Sequence, residues 1–530
     1  MMKYKKIEVD SNEIEQRLNT STLVSKVVAF RKCTDDQINQ LLTHQPTLTK
    51  NPSHALKEVC QRLLLAKENK EKVFVGGDYD ADGICATSIM VDTLNLLEIE
   101  NGYYIPNRFK EGYGLHPNIV QLAYDKGYQI IITVDNGVKA FDALKLAKEL
   151  GIEVIILDHH EIEENPECAY LLHPDLFEEP FKGLSGAGVT LQVANELVGR
   201  NHKHIALACV ATMGDIMNLW GENRTIVRLG LDIINQHLVP HMDALLDTNS
   251  KVTEKDVAFQ IVPKLNAVGR LQEMANPNNV VKFFLQNNPN EIKQFALQMN
   301  ELNNQRKQMT LQMNVLAEKK NLDDDFIIVQ DERFHEGLVG LLAGKLAGKY
   351  KKPSLVFCET DELIKGSGRT ANGFDLYSFF AVGFEDEFVN FGGHSGAIGC
   401  SIKKEKFEQF KDKVKEKFAH IEPQQEILEE ACTISANDLS LSAVHEYLDL
   451  APFGQGFAEV IFAVDDLKVV STQLIKQKFL KIKFENNIEA IWFDVDPSIK
   501  VEECKTVYAE VTINEFLGRK KCSLIVKTIE

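Results

Sequence analysis

The sequence predicts an α/β protein with a parallel-sheet domain, a long connecting helix, a second α/β domain and a C-terminal β-barrel. Three observations carry this. Short apolar runs alternate with helical periods between Val73 and Leu157, as in a parallel sheet covered by helices on both faces. Ile292, Phe295, Met299, Leu302, Arg306, Met309, Met313 and Leu316 follow one another at alternating spacings of three and four, which defines a single helix with a narrow apolar seam. Short strand-like runs crowd the last part of the chain, as in a small barrel.

At 530 residues the chain exceeds one hydrophobic core, so several domains are expected. Hydrophobic residues at 44% and charged residues at 26% are ordinary for globular protein and argue against large-scale disorder. No apolar run approaches the ~18–20 residues of a membrane helix. The opening Met1-Met2-Lys3-Tyr4-Lys5-Lys6 leads into no apolar stretch, so no secretory signal is expected. The 10 cysteines form no C-x-x-C pair, which argues against a zinc ribbon and a disulfide scaffold and predicts a reduced, cytoplasmic protein. The net charge of -18 by itself counts against a nucleic-acid partner. It is a whole-chain sum, however. A carboxylate-rich metal site adds charge that cations neutralise, and a local basic groove is compatible with it.

Residues 1–70 read as a polar helical segment. From there Val73-Phe74-Val75 precedes a helix from Ile84 to about Leu97. Tyr103-Tyr104-Ile105 precedes a helix from Pro117, Ile130 to Val134 a helix from Val138, and Val154 to Leu157 a long loop. A helix-rich stretch from Gly186 to about Gln286 completes a domain over 71–288. The seamed helix occupies 289–322. Its seam lasts only about four heptads, so packing on its own domains is expected rather than a dimeric coiled coil, and the chain is expected to be a monomer. The second α/β domain, 323–420, opens with Phe326-Ile327-Ile328-Val329. A helix from Gly337 to Gly348, a strand from Ser354 to Phe357, two glycine-rich turns and a charged helix from Lys404 to Phe418 follow. The strands expected in 421–530 are Val460 to Val464, Leu467 to Val470, Phe479 to Phe484, Ala490 to Phe493, Val507 to Ile513 and Cys522 to Val526. Phe479, Phe484 and Trp492 could stack on bases, but core packing is the simpler expectation for each.

Chemistry concentrates where these strands end. Asp78, Asp80 and Asp82 follow the first strand, Asp135 the strand Ile130 to Val134, and Asp158-His159-His160 the strand ending at Leu157. Ligands of parallel sheets bind at that edge. Asp215 ends a later helical pattern. A lone Asp at a strand end is ordinarily a helix cap or turn residue. Several converging carboxylates instead repel one another unless cations lie between them, and Asp with His suits Mn2+ and tolerates Mg2+. Five or more ligands are too many for one ion and suit two. Such a pair can activate water and stabilise the leaving oxygen in phosphoryl hydrolysis.

These motifs carry a resemblance. Asp78-Tyr79-Asp80-Ala81-Asp82-Gly83, Thr133-Val134-Asp135-Asn136-Gly137, Asp158-His159-His160 and Gly214-Asp215 resemble the four motifs of the DHH phosphoesterases. Phe391-Gly392-Gly393-His394-Ser395-Gly396-Ala397-Ile398-Gly399 resembles the signature of the associated DHHA1 domain. Further segments are similar to the branch of that family that degrades single-stranded DNA. They are Pro263 to Leu271 near the substrate path, Glu301 to Arg306 in the interdomain helix, Gly366-Ser367-Gly368-Arg369 with Gly373-Phe374-Asp375-Leu376 at a terminal-phosphate pocket, and Ala451 to Gly456 at the start of an OB-fold barrel.

The resemblance implies a 5′ to 3′ exonuclease with two Mn2+ or Mg2+ ions, acting in DNA repair and recombination, with single-stranded DNA as substrate and single-strand-binding protein as a further partner. It implies metal ligation by Asp80, Asp82, Asp135 (bridging), His159 and Asp215, with Asp78 a further candidate. It implies catalytic roles for Asp135, Asp158 and His160, with His160 near the scissile phosphate. Arg108, Ser367 and Arg369 would hold the 5′ phosphate; Arg270, His394 and Asn266 would contact the strand near the cut. Two departures stand out. Gly76 occupies a position that is often a ligating His, so water or Asp78 is expected to compensate. Gly214 and Met217-Asn218 flank Asp215 where the family usually has Ala before the Asp and a Val-Pro type pair after it.

Two rival readings differ in class. A DHH hydrolase of oligoribonucleotides or small nucleotides would need no strand-tracking barrel. A non-catalytic DNA-binding scaffold would be expected to lose metal ligands, whereas Asp80, Asp82, Asp135, His159 and Asp215 are all present.

Overall fold

Val73, Phe74 and Val75 point alternately into two cores, which fixes the first domain. Val73 and Val75 pack with the helices Ala81–Leu96 and Gly186–Val198, and Phe74 with the helices Pro117–Asp125 and Phe141–Leu150. Ile130–Val134 and Glu153–Leu157 divide their side chains likewise, so these strands are buried on both sides and read as unbroken apolar runs. The computed structural model describes residues 3–530 except 249, 361, 372, 422–427, 494, 497, 498, 500, 502, 503 and 517. The first sheet has five strands in the order Asn101–Tyr104, Val73–Gly76, Ile130–Val134, Glu153–Leu157 and Tyr170–Leu172, all parallel. The last lies in what the sequence reads as a loop. The third helix starts at Phe141, not Val138, because Gly137 to Ala140 form a turn closed by Ala140 N donating to Gly137 O at 3.0 Å.

The seamed helix is Pro289–Ala317, with Pro at its first turn and the Asn288 side chain accepting from Asn290 N at 3.0 Å. Its buried Ile292, Met299, Leu302 and Met313 join the core that holds Val73 and Val75, and the helix contacts Val262–Arg270, Pro240–Leu245 and Val339–Tyr350 of the next domain. Its seam is therefore filled within the chain.

The second sheet runs in the order Phe388–His394, Ala397–Lys403, Leu363–Arg369, Ser354–Glu359 and Ile327–Gln330, antiparallel except for its last pair. This corrects the expectation of two glycine-rich turns, because Gly366 to Arg369 and Gly392-Gly393-His394 lie within strands. The reason is packing. A Cβ on Gly366 would stand 2.3 Å from the Phe357 ring, and one on Gly368 2.7 Å from Ile398. Glycine leaves room for side chains of the neighbouring strands.

The C-terminal sheet has eight strands in the order Tyr4–Ile7, Glu429–Ser435, Phe462–Asp465, Thr506–Phe516, Arg519–Ile529, Glu489–Phe493, Phe479–Phe484 and Val469–Ile475. Its first strand comes from the start of the chain and pairs in parallel with Glu429–Ser435. Helices Thr22–Phe30 and Asp35–Leu42 also bury Leu23, Val24, Val27, Ile38 and Leu41 in this core. The sequence reads this opening segment as helical only. Phe484 and Trp492 are core residues, as expected. Arg224, fully buried, ties the first domain to this one. Its guanidinium donates to the carbonyls of Leu450, Ala451 (3.3 Å) and Pro452 (3.2 Å) and lies over the rings of Trp220 and Phe457.

Candidate active site

Three strand ends and one helix end bring the acidic groups together. Asp78, Asp80 and Asp82 follow Val73–Gly76, and Asp80 caps the next helix by accepting from Gly83 N at 3.0 Å. Asp135 follows Ile130–Val134 with φ 61, a left-handed conformation that Asp tolerates. His159 and His160 follow Glu153–Leu157, and Asp215 ends the helix His202–Gly214. His159 Nε2 is the centre of the group. It lies 3.1 Å from Asp135 Oδ1, 3.3 Å from Asp215 Oδ2 and 3.6 Å from Asp82 Oδ2.

Possible ligand atoms converge in three sets: Asp78 with Asp80 and Asp135; Asp82 with His159 and Asp215; Asp135 with His159 and His160. Asp135 and His159 each belong to two of them. Asp78 Oδ1, Asp135 Oδ1 and His159 Nε2 are buried without a hydrogen-bond partner. Orphaned acceptors in a carboxylate–imidazole cage fit hard or borderline divalent cations. Asp78 joins the set that Gly76 leaves without a histidine. Asp82 is also anchored from below, accepting from Ser185 Oγ (3.1 Å), Gly186 N (2.7 Å) and Ala187 N (2.7 Å) at the start of the helix Gly186–Val198. A Cβ on Gly186 would stand 2.6 Å from Asp135 Oδ1, so only glycine lets that helix approach.

The electrostatics follow from crowding. Burial first, then neighbouring carboxylates, push Asp78 and Asp135 well above the usual range, and burial with Asp82 and Asp80 pushes Asp215 up to about 8. Burial pulls His159 down, leaving a neutral imidazole able to ligate. Asp158 and His160 form a separate pair at 2.8 Å. Burial opposes both charges, but the hydrogen bond between them prevails, holding Asp158 at about 2 and His160 at about 8. Asp158 also accepts from Val138 N (3.0 Å) and His159 N (2.8 Å), so it orients the His pair and is not free to ligate. Tyr113 Oη donates to the Asp135 carbonyl at 2.8 Å and stands 3.1 Å from His160 Nε2.

Four arginines and Asp80 act on one another electrostatically. Burial lowers Arg270 to about 10, helped by Arg108, Arg306 and Arg369, with Asp80 opposing. Arg108 lies over the Tyr79 ring at 5.3 Å. Ser367 and Arg369 share a face of the strand Leu363–Arg369 beside the helix Val339–Tyr350, where a Cβ on Gly340 would stand 3.5 Å from Ser367 Oγ and 3.2 Å from Arg369 Nη2. Gly337 packs against the Arg270 carbonyl. The cluster thus spans both α/β domains. Converging guanidiniums are a site for phosphate.

The structure brings together the metal-facing candidates and joins Arg108, Arg270 and Arg369 electrostatically. Asn266 has another attachment, its Oδ1 accepting from Ala81 N at 2.8 Å, which leaves its amide nitrogen for other partners. His394 is exposed at the end of its strand, with Nδ1 accepting from Gly396 N at 3.3 Å. Arg306, Tyr113, Tyr79 and Ser185-Gly186 escaped the sequence reading as site residues. Arg306 was visible as the one charge in the apolar seam, and Ser185-Gly186-Ala187-Gly188 as a helix start.

Fold and site together define a metal-dependent phosphoesterase. The profile of the DHH family, N-terminal domain, matches residues 72–214, the DHHA1 domain 323–420, and the RecJ OB domain 431–528. A single-stranded-DNA-specific exonuclease RecJ of Salmonella typhimurium is 30% identical over 508 residues, covering 86% of this chain and 87% of that one. The counterpart from Bacillus subtilis is 30% identical over 497 residues, covering 89% of this chain; the chain spans 63% of that relative's length. A crystal structure of RecJ in complex with Mn2+ from Thermus thermophilus superposes over 100% of this chain and 79% of that one, with TM-score 0.86 and 22% identity, a likeness of fold. The chain belongs to the RecJ family.

Proposed function

We propose that this protein is a single-stranded-DNA-specific exonuclease that removes mononucleotides from a 5′ end by two-metal hydrolysis. It would act as a cytoplasmic monomer in DNA repair and recombination, with single-strand-binding protein as a partner. The observation that carries the reading is the convergence of Asp78, Asp80, Asp82, Asp135, His159 and Asp215 into ligand sets, with the charges of Asp80, Arg108, Arg306 and Arg369 all acting on the buried Arg270. We include the division into 1–70, 71–288, 289–322, 323–420 and 421–530 in this proposal.

In this reading Arg108, Ser367 and Arg369 hold the terminal phosphate and so set the polarity. Asp80, Asp82, Asp135, His159 and Asp215, with Asp78, hold Mn2+ or Mg2+. Bound there, the ions supply a Lewis acid and a nucleophile from water at neutral pH. His160, kept protonated by Asp158, donates to the scissile phosphate. Tyr113, its hydroxyl donating to the Asp135 carbonyl, stands 3.1 Å from both ring nitrogens of His160 and steadies the imidazole. Arg270, the amide nitrogen of Asn266 and His394 bind phosphates on either side of the cut. No helix among the described residues is long and apolar enough to cross a membrane.

The test is a digestion with Mn2+ of a 3′-labelled, 5′-phosphorylated single strand, its duplex and dinucleotides. A ladder of shortening products from the single strand alone is expected. Cleavage of dinucleotides without the ladder would replace this reading with that of a small-nucleotide hydrolase.

A further inference from the structure

The residue after Asp215 is placed against its own preference. The helix His202–Gly214 ends with Asp215 N donating to Ala211 O at 3.0 Å and Met217 N donating to Thr212 O at 3.1 Å. That bonding puts Ile216 at the position of a Schellman motif where glycine is usual, with φ 54. A β-branched residue is a genuine outlier there. Burial does not compensate, since Ile216 is 70% exposed. Strain kept at an exposed residue, one position from a metal-facing carboxylate, indicates a task outside the fold.

Its surroundings say which task. Asp80 and Asp215 belong to different ligand sets of the cage, and it is the Asp80 charge that acts on Arg270. Beyond Asp215 the chain runs straight to the C-terminal domain: Leu219 N donates to Gln455 O at 2.8 Å and Trp220 Nε1 to Gly456 O at 3.2 Å. Ile216 therefore stands exposed on the segment that joins the cage to the β domain, and the exonuclease reading, which holds the 5′ phosphate at the arginines, puts that segment on the 3′ side of the cut. A π-helical turn, Val257–Ile261, packs on the same helix and exposes Phe259 at 75%. Such turns often mark functional sites.

We infer that Ile216 is a specificity-determining contact for the nucleobase immediately 3′ of the scissile phosphate. The inference rests on the exonuclease reading above. The apolar surface a DNA strand offers is its base faces. A single strand presents one to Ile216, whereas in duplex both faces are already stacked.

Ile216→Gly removes the knob and suits the backbone; Ile216→Asn keeps a side chain that tolerates the conformation. Each variant is compared with wild type on a 5′-phosphorylated 20-mer and on the same strand with an abasic residue at its second position. For wild type, KM should rise about fivefold or more on the abasic strand. Both variants should show that raised KM on the intact strand, no further rise on the abasic one, and a thermal midpoint at or above wild type. Variants that discriminate as wild type does, or a wild type that cuts both strands with one KM, would overturn the role of Ile216 alone. A fall in the midpoint of Ile216→Gly would make Ile216 a structural residue. A wild type that releases no mononucleotide from either strand would overturn the exonuclease reading and this inference with it.

Discussion

Nε2 of His159 lies 3.1 Å from Oδ1 of Asp135, and neither atom makes a hydrogen bond although both are buried. A buried spacing kept without a bond is what two ligands of one cation would show. Asp135→Asn should therefore lower exonuclease activity by about a thousandfold or more. In metal-free protein it should raise the melting temperature, because burial, Asp82 and Asp80 all oppose the Asp135 charge. Mn2+ should shift the melting temperature of wild type upward and leave that of the variant nearly unmoved. Thermal melts with and without Mn2+ measure both.

The cage should also make stability depend on pH. The Asp215 carboxyl is raised to about 8 by burial, Asp82 and Asp80, whereas an unfolded Asp titrates near ~3.9. A raised folded value contributes stability that is fully present below the unfolded value and lost as pH rises through the folded one. His160, raised to about 8, acts in the same direction over the upper part of that window. Metal-free protein should lose stability as pH climbs from about 4 to about 8. Saturating Mn2+ should flatten the slope, with protons released on binding. Melts across that range, without and with metal, give the two slopes.

Arg369→Ala should separate the terminal phosphate from the rest of the strand. A charge-assisted hydrogen bond contributes about 1.5–3 kcal/mol. KM for a 5′-phosphorylated strand should rise roughly tenfold to a hundredfold, and KM for the 5′-hydroxyl strand should change little. Equal loss on both strands would place Arg369 elsewhere on the substrate. Steady-state kinetics on the paired substrates decides.

Arg224→Ala should loosen the joint between the first and C-terminal domains. Burial pulls this arginine down to about 9, and its bonds go to three successive carbonyls, Leu450 to Pro452. Truncation leaves buried carbonyls unpaired and two rings uncovered, at a cost of about 3 kcal/mol or more. Hydrogen exchange of the strands Glu429–Ser435 and Phe462–Asp465 should accelerate before that of Ile130–Val134.

Most of the cage was legible because its residues occur in short motifs at strand ends, where chain direction alone sets them on one edge; Asp215 comes from a helix end. The arginine cluster was only partly legible. Arg108, Arg270, Arg306 and Arg369 are far apart in the chain, and Arg306 reads locally as a flaw in an apolar seam. Gly366 and Gly368 mislead for the opposite reason. Glycine signals a turn in isolation, and the Phe357 and Ile398 side chains that require it here belong to other strands. Tyr4–Ile7 carries two lysines in four residues, and its partner strand begins at Glu429, so no local pattern betrays it.

That same pairing orders events in time. The helices Thr22–Phe30 and Asp35–Leu42 are apolar on the face they give to a sheet whose other strands are encoded from Glu429 onward. A ribosome adding about 5–20 residues per second needs roughly 20 to 80 seconds to cover that distance. Throughout that interval Leu23, Val24, Val27 and Ile38 have no home, while the first domain, complete once the long helix has emerged, can already close. Chaperone dependence in this chain should therefore attach to its earliest residues, and the last strands to leave the ribosome release them.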